Sequence, residues 1–110
     1  MILVVGGSYQ GKTEFARGKF GNISYFNQFH LFVKKRLSEG KSQSEILTEI
    51  RQIISVGEWV IIADEVGNGI VPIDESDRRW REVSGAILIE IAAEADEVYR
   101  VACGIGQRIK

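Results

Sequence analysis

The stretch Ile2-Leu3-Val4-Val5-Gly6-Gly7-Ser8-Tyr9-Gln10-Gly11-Lys12-Thr13 decides the fold. Its apolar opening, cut off at once by glycine, reads as a short strand covered on both faces, as in a parallel sheet. The loop behind it matches G-x-x-x-x-G-K-[ST] through Gly6, Gly11, Lys12 and Thr13. It stands between a strand and a segment able to begin a helix, where a P-loop (Walker A) needs to stand. Glycines let successive N–H groups turn inward onto phosphate oxygens, and the helix N-terminus adds partial positive charge. Gly6, Gly7, Ser8, Tyr9, Gln10, Gly11, Lys12 and Thr13 are therefore expected to bind a nucleoside triphosphate, ATP or GTP. Lys12 would bridge the β and γ phosphates and neutralise charge during transfer, and the Thr13 hydroxyl would ligate Mg2+.

A second landmark lies downstream. Trp59-Val60-Ile61-Ile62-Ala63 is another continuous apolar run and ends in Asp64-Glu65. Ligands gather at the carboxyl ends of parallel strands, so Asp64 is expected to hold Mg2+ through water, alongside Thr13. Glu65 is expected to orient or deprotonate the attacking hydroxyl as a catalytic base. An ordinary solvated acidic pair is the competing reading, with more force for Glu65 than for Asp64.

Between and beyond these landmarks the pattern alternates strand and helix. A helix is predicted from Lys12 to about Lys19, a strand over Ile23 to Phe26, and a helix on Phe29, Phe32, Val33 and Leu37 that stops near Gly40. Ser42-Gln43-Ser44-Glu45 has the form of a capping box opening a helix with a stripe of Ile46, Leu47, Ile50, Ile53 and Ile54. After a loop from Val66 to Asp74, Glu75 to Ala95 reads as the longest helix and Val98 to Cys103 as a strand. A turn at Gly104 to Gly106 would lead into a short edge strand at Gln107 to Lys110. This order implies an α/β domain with a mainly parallel sheet and right-handed crossovers.

The 110 residues, 45% hydrophobic and 26% charged, suit one ordinary globular domain over 1–110. A net charge of −1 from 14 basic and 15 acidic residues offers no field to attract nucleic acid or an anionic membrane. The apolar run before Gly6 is too short for a signal peptide or a span, so a cytoplasmic protein is expected. One cysteine and one histidine cannot form an intrachain disulfide or a zinc site of the usual pairs.

Asp64-Glu65-Val66-Gly67-Asn68-Gly69-Ile70-Val71-Pro72, then Arg78, Trp80, Arg81, Glu82 and Gly85, then Ala92 to Tyr99, and lastly Gly104-Ile105 and Lys110 form a connected pattern. Together with the glycine-rich loop they resemble the adenosylcobinamide kinase / adenosylcobinamide-phosphate guanylyltransferase family of cobalamin biosynthesis. The resemblance implies a RecA-like P-loop NTPase fold of three layers and a kinase acting on the aminopropanol hydroxyl of a corrinoid. It also implies a guanylyltransferase that passes through a guanylyl-histidine, and an oligomer resembling the family's trimers. In the family a segment carrying that histidine lies between the P-loop helix and the second strand. Here Glu14 to Asn22 fill the gap without a histidine, so guanylyltransferase activity is expected to be absent. His30 stands where the family tends toward Asp-Cys-Leu-Thr, and the nucleophile role does not carry over to it. Asp64 stands where the family usually has Asn, and Leu88-Ile89 where it has an Asn-Gln pair.

Other conspicuous residues have plainer readings. His30 is expected at a helix start, partly buried; Cys103 as a buried small apolar residue; Trp59 and Trp80 as core or interface anchors. Arg78, Arg79 and Arg81 read first as a solvated face and second as a phosphate-reaching cluster. The function expected is an ATP- or GTP-dependent phosphotransferase that uses Mg2+ and carries the γ-phosphoryl group to an alcohol, a corrinoid being the acceptor the resemblance implies. The alternatives are a nucleotide-responsive binding module, with residues 66–74 as the moving segment, and a degenerate member without catalysis.

Overall fold

β1 (Ile2–Gly6) is the middle strand of a five-stranded sheet of order β2-β3-β1-β4-β5. The computed structural model of the chain describes residues 1–65 and 74–110. In chain order the other elements are α1 (Lys12–Phe20), β2 (Ser24–Phe26), α2 (Phe29–Ser38), α3 (Gln43–Ile54), β3 (Trp59–Asp64), α4 (Glu75–Glu94), β4 (Glu97–Ala102) and β5 (Ile105–Arg108). β1 runs parallel to β3 on one side and to β4 on the other, β2 runs parallel to β3, and β5 closes the edge antiparallel to β4. The α/β architecture with a mainly parallel sheet read from the sequence is the one observed.

Alternation along the strands splits the core into two layers. Leu3, Val5, Ile61, Ala63 and Val98 pack with Phe29, Val33, Ile46, Ile50, Ile87 and Ile91 of α2, α3 and α4. Val4, Val60, Ile62, Tyr99 and Val101 pack with Ala16 of α1. β1 and β3 are continuous apolar runs up to their carboxyl ends because a helix layer covers each side. Leu88 packs against the larger core while Ile89 stays exposed.

Local signals fix the helix ends. Ser42 Oγ accepts the Glu45 N–H, and Glu45 returns a bond from the Ser42 N–H, completing the capping box. Asp74 caps α4 by accepting the Asp77 N–H. At the other end of α4, Lys110 donates to the carbonyls of Ala92, Ala93 and Ala95, supplying from a distant segment the positive charge its last turn lacks.

Two expectations are corrected. The turn between the last strands is at Cys103 and Gly104, both at positive φ (51° and 75°), the geometry of a two-residue hairpin loop. Gly106 therefore falls inside β5, where a Cβ would lie 2.1 Å from atoms of the Phe15 ring. For the same reason Cys103 is exposed rather than buried. The expected moving segment, residues 66–74 with Gly67, Gly69 and Pro72, lies outside the described residues except for Asp74 at its end. Among the described residues no helix is long and apolar enough to cross a membrane.

Candidate functional site

The glycine-rich loop leaves the carboxyl end of β1 and enters α1 at Lys12. Two of its glycines are required by geometry. A Cβ on Gly6 would come within 2.4 Å of the Val101 carbonyl oxygen. Gly11 has φ +83° and passes so close to the β4–β5 turn that its Cβ would lie 3.2 Å from Gly104 Cα. Gln10 fastens the loop to that turn: its carbonyl accepts the Gly104 N–H (2.7 Å) and its side-chain oxygen accepts the Cys103 N–H (2.7 Å). Tyr9, also at positive φ, is fully exposed at the loop's tip.

Asp64 ends β3 in register with Gly6, which brings its carboxylate to the mouth of α1. Lys12 Nζ lies 2.6 Å from Asp64 Oδ1 and donates to the Gly7 carbonyl at 2.6 Å. The Ser8 hydroxyl donates to Asp64 Oδ2 at 2.7 Å. Burial works to raise the Asp64 carboxyl, but the hydrogen bonds from Lys12 and Ser8 and the charges of His30 and Lys12 outweigh it and hold the pKa below its ordinary value.

His30, the second residue of α2, completes this cluster. Its Nδ1 accepts the Asp64 backbone N–H at 3.0 Å, and its Nε2 lies 3.3 Å from Asp64 Oδ2. With Nδ1 accepting, the ring proton belongs on Nε2, by the logic that one ring nitrogen's hydrogen bond fixes the other. Burial lowers the His30 pKa; the nearby Asp64 carboxylate raises it less than burial lowers it, and Lys12 adds to the lowering. The ring is therefore neutral at physiological pH. The His30 carbonyl in turn accepts the Trp80 indole N–H of α4 at 2.9 Å.

These groups line a cleft of about 410 Å3 between the start of α1 and the β2–α2 junction. Ser8, Tyr9, Gln10, Gly11, Lys12, Thr13 and Asp64 line it, joined by Asn27, Gln28, His30 and Leu31. Gly6 and Gly7 are not among the lining residues, but the Gly7 carbonyl holds Lys12 Nζ. Glu65 is not brought into this cluster. One residue beyond Asp64, it follows the opposite face of the sheet, and its carboxylate lies 3.3 Å from Arg100. Arg78 and Arg79 are exposed on α4, away from the cleft lining.

Among the described residues no group of three or more His, Cys, Asp and Glu is arranged to hold a metal ion. The Thr13 hydroxyl and the Asp64 carboxylate do share the cleft. Two oxygen donors beside a phosphate site suit a hard cation that takes its remaining ligands from water and substrate, as Mg2+ does.

Comparison with known proteins decides the family. The family described as Cobinamide kinase / cobinamide phosphate guanyltransferase matches residues 22–109. The chain belongs to this cobinamide kinase / guanyltransferase family. The bifunctional adenosylcobalamin biosynthesis protein CobU of Salmonella typhimurium is 45% identical over 51 residues, which cover 46% of this chain and 28% of that protein. The protein of the same name from Escherichia coli K12 is 36% identical over 73 residues, covering 62% and 40%. The chain thus matches less than half the length of either relative. The family match begins after the glycine-rich loop and includes Asp64, so the part that the loop and Lys12 play in the cleft rests on the geometry.

Proposed function

We propose that residues 1–110 act as one nucleotide-binding domain that takes a nucleoside triphosphate, ATP or GTP, in the cleft. In this reading the protein transfers the γ-phosphoryl group to an alcohol, as a kinase of the cobinamide type. The observation that carries it is the meeting of Lys12, Ser8 and Asp64 at the start of α1. There the Lys12 ammonium, loop N–H groups and a helix N-terminus can all address one polyphosphate. On binding, Lys12 exchanges its Asp64 partner for phosphate oxygens. Thr13 and Asp64 are the residues that would hold Mg2+, which supplies charge neutralisation between the phosphates.

Transfer breaks the bond between the γ-phosphorus and its bridging oxygen and forms one to the acceptor oxygen, whose proton must leave. Asp64 and Glu14 are the carboxylate residues that line the cleft among the described residues, and Asp64 is the one that meets Lys12 and Ser8. Glu65 would have to leave Arg100 to share that duty. Lys12→Ala should weaken triphosphate binding about 10- to 100-fold, the value of one charge-assisted hydrogen bond. Unchanged affinity in a fluorescence titration would refute the assignment. Incubation with labelled triphosphate and adenosylcobinamide should yield a phosphorylated corrinoid; its absence under conditions where a full-length relative works would sink the kinase reading.

Guanylyl transfer is proposed to be absent. A histidine that attacks phosphorus needs a free lone pair on the attacking nitrogen, and here Nδ1 takes the Asp64 N–H while Nε2 carries the proton. A guanylyl adduct trapped on His30 after incubation with GTP would overturn this. The size of the cleft favours a second reading. About 410 Å3 is at the scale of a single small ligand, and a corrinoid in addition to a nucleotide would extend beyond it. A nucleotide-responsive module without a small-molecule acceptor fits the same cleft.

A further inference from the structure

One imidazole addresses Asp64 at two points. Nδ1 of His30 accepts the Asp64 backbone N–H, and Nε2 faces Oδ2 of the same residue. Among the described residues no other partner of Asp64 in the cleft is fixed in this way. Lys12 reaches it on a long side chain and Ser8 from an exposed loop position. Both belong to the glycine-rich loop and its helix, whose donors a polyphosphate would claim. His30 instead is buried, its backbone tied to Trp80 of α4 and its ring to the end of β3. When a triphosphate draws off Lys12 and Ser8, the carboxylate loses its contacts to both and keeps the one to His30.

We propose that His30 is a positioning residue: it holds the Asp64 carboxylate in one orientation while the nucleotide occupies the cleft, so that a free oxygen remains turned toward the phosphates and their cation. This rests on the reading of the cleft as a triphosphate site. It differs from a base or nucleophile role, because the ring neither gains nor loses a proton and makes no bond to substrate. Partners that orient a metal-ligating carboxylate from behind typically change metal affinity about 10- to 100-fold when removed. The consequence is specific: His30 should govern how much a divalent cation tightens nucleotide binding and leave the cation-free binding alone.

The test is a titration with an N-methylanthraniloyl-labelled ATP, with and without Mg2+, on the whole chain and three variants. His30→Ala should reduce the tightening by Mg2+ about 10-fold and leave cation-free affinity within about 2-fold. His30→Gln, whose amide can still donate to the carboxylate, should recover most of the loss. Equal effects of Ala and Gln, or an equal loss with and without Mg2+, would overturn the positioning role while leaving the triphosphate site standing. If Lys12→Ala binds like the parent chain, the reading of the cleft falls, and the positioning role falls with it. Nitrogen-15 NMR of the imidazole supplies a readout independent of any ligand. Protonated Nε2 with unprotonated Nδ1 is expected, and the opposite tautomer would refute the two-point hold even if nucleotide binds.

Discussion

His30 is the single histidine of the chain and is held neutral at the cleft, so stability near neutrality should report on one side chain. Its pKa in the folded protein lies below the ordinary 6.5, so the unfolded chain takes up the proton first as pH falls. The stabilisation is therefore complete above pH 6.5 and is lost as pH drops from there through the lowered folded value. The urea midpoint should fall between pH 7.5 and 5 in the parent and stay flatter in His30→Gln; a flat parent profile would contradict the burial argument. Asp64, with its lowered pKa, contributes the same sign in a separate window, below pH 3.8. The residue pattern exposed Lys12, Thr13 and Asp64 because a glycine-rich loop and an acidic strand end are local signals. His30 carries no such signal: its bond to Asp64 joins positions 34 residues apart, and only the packing of α2 against β3 brings them together. Glu65 was readable in principle, since neighbours along a strand face opposite ways, and that alternation separates it from Asp64.

At the scale of elements, α3 offers the cleanest test, because its N-terminus is held by a reciprocal pair of side-chain bonds. Ser42→Ala leaves the Glu45 N–H without its acceptor and should cost about 1 kcal/mol, measured by chemical denaturation. A loss near zero would mean that the start of α3 is held by packing of Ile46 and Leu47 alone. Glu45 has its pKa lowered, first by its bond to the Ser42 backbone, so its contribution is present at neutral pH and disappears as pH falls through that lowered value. The cap was legible because Ser and Glu three residues apart need nothing beyond their own turn. The hairpin turn was not, because Gly104 and Gly106 both suit a turn, and what selects between them is Phe15 from α1, lying where a side chain on residue 106 would be. The cap on the end of α4 was equally hidden, since Lys110 reaches it from the far side of β5.

Over the whole molecule, sheet order places the two landmarks of the sequence side by side, with β1 and β3 adjacent and their carboxyl ends in register. The sequence implied the layers through its apolar runs, but adjacency of β1 and β3, with β2 displaced to the edge, depends on which crossovers the helices can cover. Ile61, fully buried at the centre of the larger layer, supports both the sheet and the seat of α2. Ile61→Ala should cost about 2 to 5 kcal/mol, a large share of the 5 to 15 kcal/mol available to an ordinary domain, and its melting temperature should fall accordingly. A melting temperature equal to the parent's would show that the layer tolerates a void. The clasp of Gln10 on the β4–β5 turn gives the molecule one more property. The amide protons of Cys103 and Gly104, residues that do not line the cleft, are anchored to Gln10 of the loop, which does, so they form a built-in gauge: their resonances should register any rearrangement of the loop on filling.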